Sequence, residues 1–194
     1  NSTVDALNAG VQDLTVNAGT GGNVLFTGAV GAGARVGHLI ISNAHDVTEQ
    51  AGISATTITQ SAGTGTTTLN GPVETNASGG VDLATNAITV NNAVTTTGTG
   101  GVTFTNAGLL TINGNINSDG AVTQNGAGSV TVTPPINGTR SISTTGDAVS
   151  FLRAVTLLGS GSELSIDTTS AGHTAGGNVT FSIVAAGSMP AAAR

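Results

Sequence analysis

Apolar and polar residues alternate along this chain in many short runs separated by glycine-rich turns. Clear runs are VLF at 24–26, AITV at 87–90, VTF at 102–104 and ELSID at 163–167, with turn signals such as NASGG and NSDG between runs. Thr and Val dominate the runs, and both prefer strands to helices. Because Gly recurs every few residues and costs a helix interior about 1 kcal/mol each time, the pattern predicts an all-β chain of many short strands.

The predicted strands repeat with a period of about 20–22 residues, which is seen when segments 79–94, 100–116 and 120–136 are aligned. Three apolar positions recur in each unit. The first series is Val81, Val102, Val122, Ile142 and Leu164, the second is Val90, Ile112, Val132 and Phe151, and the third is Val94, Ile116, Ile136 and Leu157. Stacked coils would pair each strand with its equivalent about 4.8 Å away and bury these positions as ladders.

The repeat therefore predicts a parallel β-solenoid over residues 1–186, with roughly nine coils and a length of about 40–45 Å. Residues 187–194 are interpreted as an Ala-rich tail or linker. Tandem β-sandwich domains are the alternative, since they too contain short strands with frequent turn signals. Sandwich cores usually contain large aromatic residues, however, and this chain has four Phe and neither Trp nor Tyr.

Composition and charge narrow the choice of partners. The formal net charge is −6, the four basic residues are all Arg, and Cys is absent. Such a chain lacks the clustered cations that bind phosphates of nucleic acids or anionic membranes, and no apolar run approaches the roughly 20 residues of a spanning helix. We therefore expect no nucleic-acid partner, no membrane insertion, and no disulfide or thiolate metal site.

Polar residues are densest at His38, His45, Asp46 and Glu49. His and carboxylate side chains could bind a divalent metal, but the spacing is not that of a ligand set, and we interpret these residues as exposed on a loop after the strand at 38–42. His173 is interpreted as a loop residue. We expect no catalytic residues, no cofactor and no metal site.

Polysaccharide-cleaving β-helix enzymes are the enzymatic alternative, and their chemistry needs paired acids or a base with a cation. Among the ten carboxylates, Asp147 and Asp167 are the one pair spaced by a coil length, 20 positions apart. Aromatic platforms for sugars are missing as well. The residue types therefore favour a protein that is not an enzyme.

Several phrases resemble the tandem repeats of very large bacterial surface proteins of the filamentous-haemagglutinin and autotransporter-passenger type. They include TQSAGTGTTTLNGPV, GGVTFTNAGLLTI, GAVTQNGAG and STTGDAVSF, and the resemblance covers nearly the whole chain. It implies a β-solenoid that is secreted or displayed on the bacterial cell surface, as part of a longer polypeptide or a fibre. It carries no catalytic motif.

Two functions are compatible with these observations. The first is a structural subunit or segment of an extracellular fibre or stalk whose identical copies stack end to end, because open solenoid ends have unpaired backbone groups. The phrase GGNVxF at 21–26 and 176–181 suggests that both ends present a similar coil. The residues expected to carry assembly are Leu14, Val16, Val24, Phe26, Val179, Phe181 and Ile183.

The second function is an adhesin module that binds host or matrix glycans, or a protein, through a lateral face. Residues 31–50 are the least repetitive stretch and are the candidate binding segment. A cleft near His38 and His45 would favour this function, whereas a uniform Thr and Asn surface would favour the structural one.

Overall fold

The structure is a computed structural model that describes residues 3–172 and 174–182. These residues form twenty strands and a 3-10 turn at Ser170–Gly172, and no α-helix occurs among them. Every pairing between the named strands is parallel, and the chain winds through about seven turns of a β-solenoid. The predicted fold class is confirmed, and tandem sandwiches are ruled out because sandwich sheets are antiparallel.

Each turn contributes a strand to three faces. The first face consists of β1 (Leu14–Asn17), β3 (Val36–Asn43), the second half of β5 (Ile53–Gln60), β8 (Val81–Thr85), β11 (Val102–Asn106), β14 (Val122–Gln124), β17 (Val149–Phe151) and β20 (Val179–Phe181). The second face consists of β2 (Val24–Phe26), β4 (Val47–Glu49), β6 (Thr66–Leu69), β9 (Ala87–Val90), β12 (Leu110–Ile112), β15 (Val130–Val132) and β18 (Val155–Leu157).

The third face consists of the first half of β5, β7 (Val73–Thr75), β10 (Val94–Thr96), β13 (Ile116–Ser118), β16 (Thr139–Thr144) and β19 (Glu163–Asp167). Strand β5 pairs with β7 through Ile53–Ala55 and with β8 through Ile58–Gln60. It therefore joins the first and third faces into one hydrogen-bonded sheet, while the second face forms a separate seven-stranded sheet.

The core consists of apolar ladders that run along the solenoid axis. Val81, Val102 and Val122 are direct register partners on the first face and are at most 1% exposed. On the second face Val90, Ile112 and Val132 stack in the same way and are fully buried. These two series confirm the predicted inward positions of the central coils, where the alternation of period two places each β-branched residue inside.

The predicted series fail after residue 132. Pro134 and Pro135 have no N–H to donate to a parallel ladder, and the chain turns at Asn137, whose φ is +53°. Ile136, which was predicted to face inward, is 79% exposed as a result. The residue of β16 (Thr139–Thr144) that pairs with Ile116 is Ile142, which lies 26 positions further along the chain and not 20–22.

This longer connection shifts the phase of every following coil. Ile142 pairs with Ile116 on the third face and not with Val122. Val149 takes the place below Val122, and Leu157 takes the place below Val132. Phe151 lies on the first face against Gln124. Leu164 pairs with Arg140 on the third face.

The longer coils also explain why about seven turns form where roughly nine were predicted. Val122 and its partner Val149 are 27 positions apart, and Val149 and Val179 are 30 apart, whereas nine coils require a spacing of 20–22 residues along the whole chain. Seven turns correspond to a rod of about 34 Å.

Hydroxyl and amide side chains line the inner corners between faces. The Thr96 and Ser118 hydroxyls lie 3.1 Å apart, and both donate to the carbonyl of Gly100. At another corner, the Gln124 amide donates to Asn106 Oδ1 at 2.8 Å. These bonds satisfy buried backbone and side-chain groups where the strand ladder is interrupted.

Candidate assembly site

The inward ladders reach the C-terminal end of the described solenoid without a covering coil. Leu157, Val179 and Phe181 are 53%, 46% and 47% exposed, whereas their register partners in the preceding coil are fully buried. Each of the three side chains occupies an inward ladder position, so an apolar surface that belongs inside the solenoid faces outward at this end. Exposed groups of this kind on a strand edge are suited to pairing with another strand.

Phe181 continues an aromatic stack. Its ring lies 5.6 Å from that of Phe151, with an angle of 11° between the ring planes. An open cavity of about 680 Å³ lies beside it, and its lining includes Val155, Leu157 and Leu164. Arg153 is the charged residue of this lining. Most of the lining is apolar, so the cavity offers room for apolar side chains.

Backbone hydrogen bonds at this end have a fixed direction. On the first face the N–H of each inward valine donates to a carbonyl of the following coil, as Val122 does to Ala148 and Val149 does to Asn178. Because β20 runs parallel to these strands, the Val179 N–H points in the same direction, toward the position of a following coil. Among the described strands β20 has a partner on one side, which is β17.

The N-terminal end is better covered. Val24 is 7% exposed, while Leu14, Val16 and Phe26 are partly buried against the core. Val4 forms a bridge with Val30, and Ala6 packs into the core, so residues before β1 shield part of this end. The two ends thus differ in exposure. Ile183, the remaining predicted assembly residue, lies outside the described residues, as do His173 and the tail 187–194.

The shared GGNVxF phrase does not place similar coils at the two ends. Val24–Phe26 forms β2 on the second face, whereas Val179–Phe181 forms β20 on the first face. Similar local sequences, VLF and VTF, form strands in both places, but the face on which a strand lies depends on the summed length of the preceding coils. The N-terminal strand equivalent to β20 is β1, with Leu14 and Val16 as the inward residues.

The polar cluster at 38–49 is an exposed loop only in part, because His45 is exposed in the connection between β3 and β4 whereas His38 and Glu49 lie within those strands. His38 lies in β3, where its Nε2 is 2.9 Å from the Thr59 hydroxyl, and His45 Nδ1 is 3.2 Å from that of Thr64. The Asp46 carboxylate accepts the backbone N–H of Thr66 at 2.8 Å. Each side chain thus stabilises the next coil, and the described residues contain no group of three His, Cys, Asp or Glu side chains close enough to hold a metal.

Glu49 differs most from its prediction, which placed it on an exposed loop. It is the last residue of β4, fully buried, and occupies the inward ladder position between Phe26 and Leu69. Its two carboxylate oxygens accept the backbone N–H groups of Gly52 and Gly71, the latter at 2.8 Å. A buried carboxylate that caps two turns is a structural element of the stack. The alternation of VTE within a strand was the sequence signal for its inward direction.

Among the described residues, three ionisable side chains have shifted pKa values. The Thr3 hydroxyl and the backbone N–H groups of Gly33 and Ala34 donate to Asp5 and hold its pKa below the usual value. The hydroxyl and N–H of Thr169 lower the pKa of Asp167 in the same way, and burial lowers the pKa of Arg140. Asp167 pairs in register with Ser143, so it does not stack on Asp147.

Comparisons of the chain with models of protein families, with curated proteins and with solved structures found no match. Within the part of the chain that the structure describes, no helix has the length and apolarity needed to cross a membrane.

Proposed function

We propose that this chain is a structural subunit or segment of an extracellular bacterial fibre or surface stalk in which solenoids continue end to end through strand stacking. The observation that carries the proposal is the exposure of Leu157, Val179 and Phe181 at inward ladder positions. A following coil would bury them as every earlier coil buries its equivalents. The repeat style shared with bacterial surface proteins supports an extracellular location.

The strand order supports a particular joint. The first face ends at β20 and begins at β1, so β1 of the next copy would continue the ladder beyond β20. Leu14 would then stack on Val179, and Val16 on Phe181. The contact is heterologous and does not close, which is the geometry that propagates a filament. A continuation of the solenoid within a longer polypeptide would make the same joint.

Electron microscopy and sedimentation of the purified chain test this proposal. The chain should form thin filaments at high concentration, and Val179→Pro should shorten them because it removes the N–H that points to the following coil. The variant Val179→Ile keeps that N–H and serves as the control. A wild-type chain that stays monomeric, or a proline variant that assembles as the wild type does, would contradict end-to-end stacking.

A lateral adhesin function is the second candidate, and one groove favours it. This groove of about 470 Å³ on the third face is lined in part by Thr95, Asn117, Ser143 and Ser170, whose hydroxyl and amide groups suit sugar hydroxyls. Within the segment 31–50, by contrast, most residues belong to the paired strands β3 and β4. Binding of neutral glycans that Asn117→Ala abolishes, with the fold intact, would support this second function.

A further inference from the structure

In six of the seven strands of the second face the outward residues form a continuous row of threonines, which Leu25 of β2 extends at its N-terminal end. Register places them directly above one another in six consecutive strands: Thr48, Thr68, Thr89, Thr111, Thr131 and Thr156. Neighbouring coils repeat about every 4.8 Å, so the row is about 24 Å long. Among the described contacts, none of these six hydroxyls makes a hydrogen bond within the chain, whereas the His38 and Asn125 side chains engage Thr59 and Thr105 on the first face.

The rows on either side of the threonines are equally uncharged, apart from Asp46 at one end. One flanking row contains Asn70, Asn91 and Asn113, and their amides form a ladder with hydrogen bonds of 2.8 Å from each coil to the previous one. This ladder uses amide groups within the chain and stiffens the edge of the face. The second face is therefore an almost neutral surface with a regular repeat from coil to coil.

The other faces carry the charge. Asp82 points outward from the first face between Thr59 and Thr103, and Glu74 and Asp167 point outward from the third face. With a net charge of −6 on each chain, two chains repel through these faces and least through the second face. A second copy of the chain also matches this row in spacing, because successive threonines in its own row are separated by the same coil repeat.

We infer that the second face is a lateral interface at which two rods of this protein pair through their threonine rows. Threonine is β-branched, so it loses little rotamer freedom in such a contact, and its methyl group can pack between the side chains of the facing row while its hydroxyl finds an acceptor. The pairing resembles the dry interdigitated contact of stacked sheets.

The area of the face determines when pairing becomes stable. Three rows span about 13 Å along the strands and about 24 Å across them, so one chain offers about 300 Å² and two chains bury about 600 Å² in total. A stable interface needs about 1,200 Å² or more. Single chains should therefore pair weakly, and rods of several chains in line should pair firmly, because the contacts add along the rod. In this respect the inference rests on the proposed function.

Filament images provide the first test. The wild type should form paired filaments, whereas the double variant Thr89→Glu with Thr111→Glu should form single ones because it places charge in the centre of the row. The matched control is Thr103→Glu with Thr123→Glu, two stacked and half-buried threonines on the first face, which should leave filaments paired. Wild-type filaments that remain single, or a control that separates them equally, would overturn the lateral interface.

Cysteine cross-linking tests the pairing without filaments, since the chain has no Cys of its own. Thr89→Cys lies near the middle of the row, close to the centre of a facing row in either direction. Under mild oxidation it should form disulfide dimers severalfold faster than Thr103→Cys on the first face or Thr95→Cys on the third face. Equal rates at the three positions would overturn the inference, while an absence of filaments alone would count against the proposed function only.

Discussion

In the central coils, from β8 to β15, corners are short and each inward side chain is sealed by the coil on either side. Phe104, for example, is fully buried between Leu83 and Gln124. In the C-terminal coils the corners lengthen, and Phe181 is 47% exposed although it occupies the same ladder position. The residue type is the same in both places, so burial in this fold is supplied by the neighbouring coil and not by the strand itself.

Replacing the two aromatic residues gives the largest expected contrast. Phe104→Ala should reduce the free energy of unfolding by about 3–5 kcal/mol because it leaves a cavity in a sealed ladder. Phe181→Ala should cost about 1–2 kcal/mol, since half of that side chain already contacts solvent. Hydrogen exchange of β11 and β20 would measure each loss locally, and equal losses would contradict the dependence on the neighbouring coil.

Glu49 tests whether the same rule holds for a polar ladder position. Glu49→Gln should lower stability by about 1.5–3 kcal/mol, because the amide replaces one of two acceptors for the buried N–H groups of Gly52 and Gly71. Glu74 is the control, since its side chain is 57% exposed and 3.7 Å from Arg35. Glu74→Gln should change stability by at most about 1 kcal/mol. Urea unfolding of both variants would compare them, and a tolerated Glu49→Gln would refute the capping role.

Two glycines at corners allow a further comparison, between a corner that contacts the preceding coil and a corner with free space around it. At Gly128 a Cβ atom would overlap the carbonyl oxygen of Gly108 in the preceding coil, whereas at Gly21 it would meet no atom within 4 Å. Gly128→Ala should therefore force the backbones apart and cost about 1–3 kcal/mol, and Gly21→Ala should be nearly neutral. Thermal unfolding would rank the two variants, and the reverse order would show that corner spacing does not limit the stack.

The smallest expected effect concerns Asp5 near the N-terminus, because the contribution of its carboxylate to stability depends on pH. Because the folded pKa of Asp5 is depressed, the contribution of its carboxylate to stability is present above the unfolded pKa of about 3.9. It is lost as the pH falls through the lower folded pKa. An NMR titration should show this depressed pKa, and Thr3→Val should raise it toward the ordinary value by removing the strongest donor. An unchanged pKa in that variant would contradict the assignment.

Sequence reasoning was most successful where strands are regular. Runs such as VLF at 24–26 and AITV at 87–90 coincide with β2 and β9, because alternation and β-branching act locally. It missed the assignment of Glu49, since a carboxylate was expected at the surface. It also missed the threonine row, although positions 68, 89, 111 and 131 recur with the coil period. The same period that predicts the apolar ladders also predicts this ladder of threonines when it is applied to polar positions.

The amino-acid sequence is sufficient to predict that this protein is all-β, that its central coils stack in parallel, and which valines and isoleucines face inward there. These properties follow from the alternation of side chains across a strand and from a repeat that is constant over 79–132. The phase of the coils after Pro134, the face on which β20 lies and the exposure of Phe181 became visible in the three-dimensional structure. Those properties depend on corner lengths summed along the chain and on whether another coil covers the ladder, and neither quantity is encoded in any short run of residues.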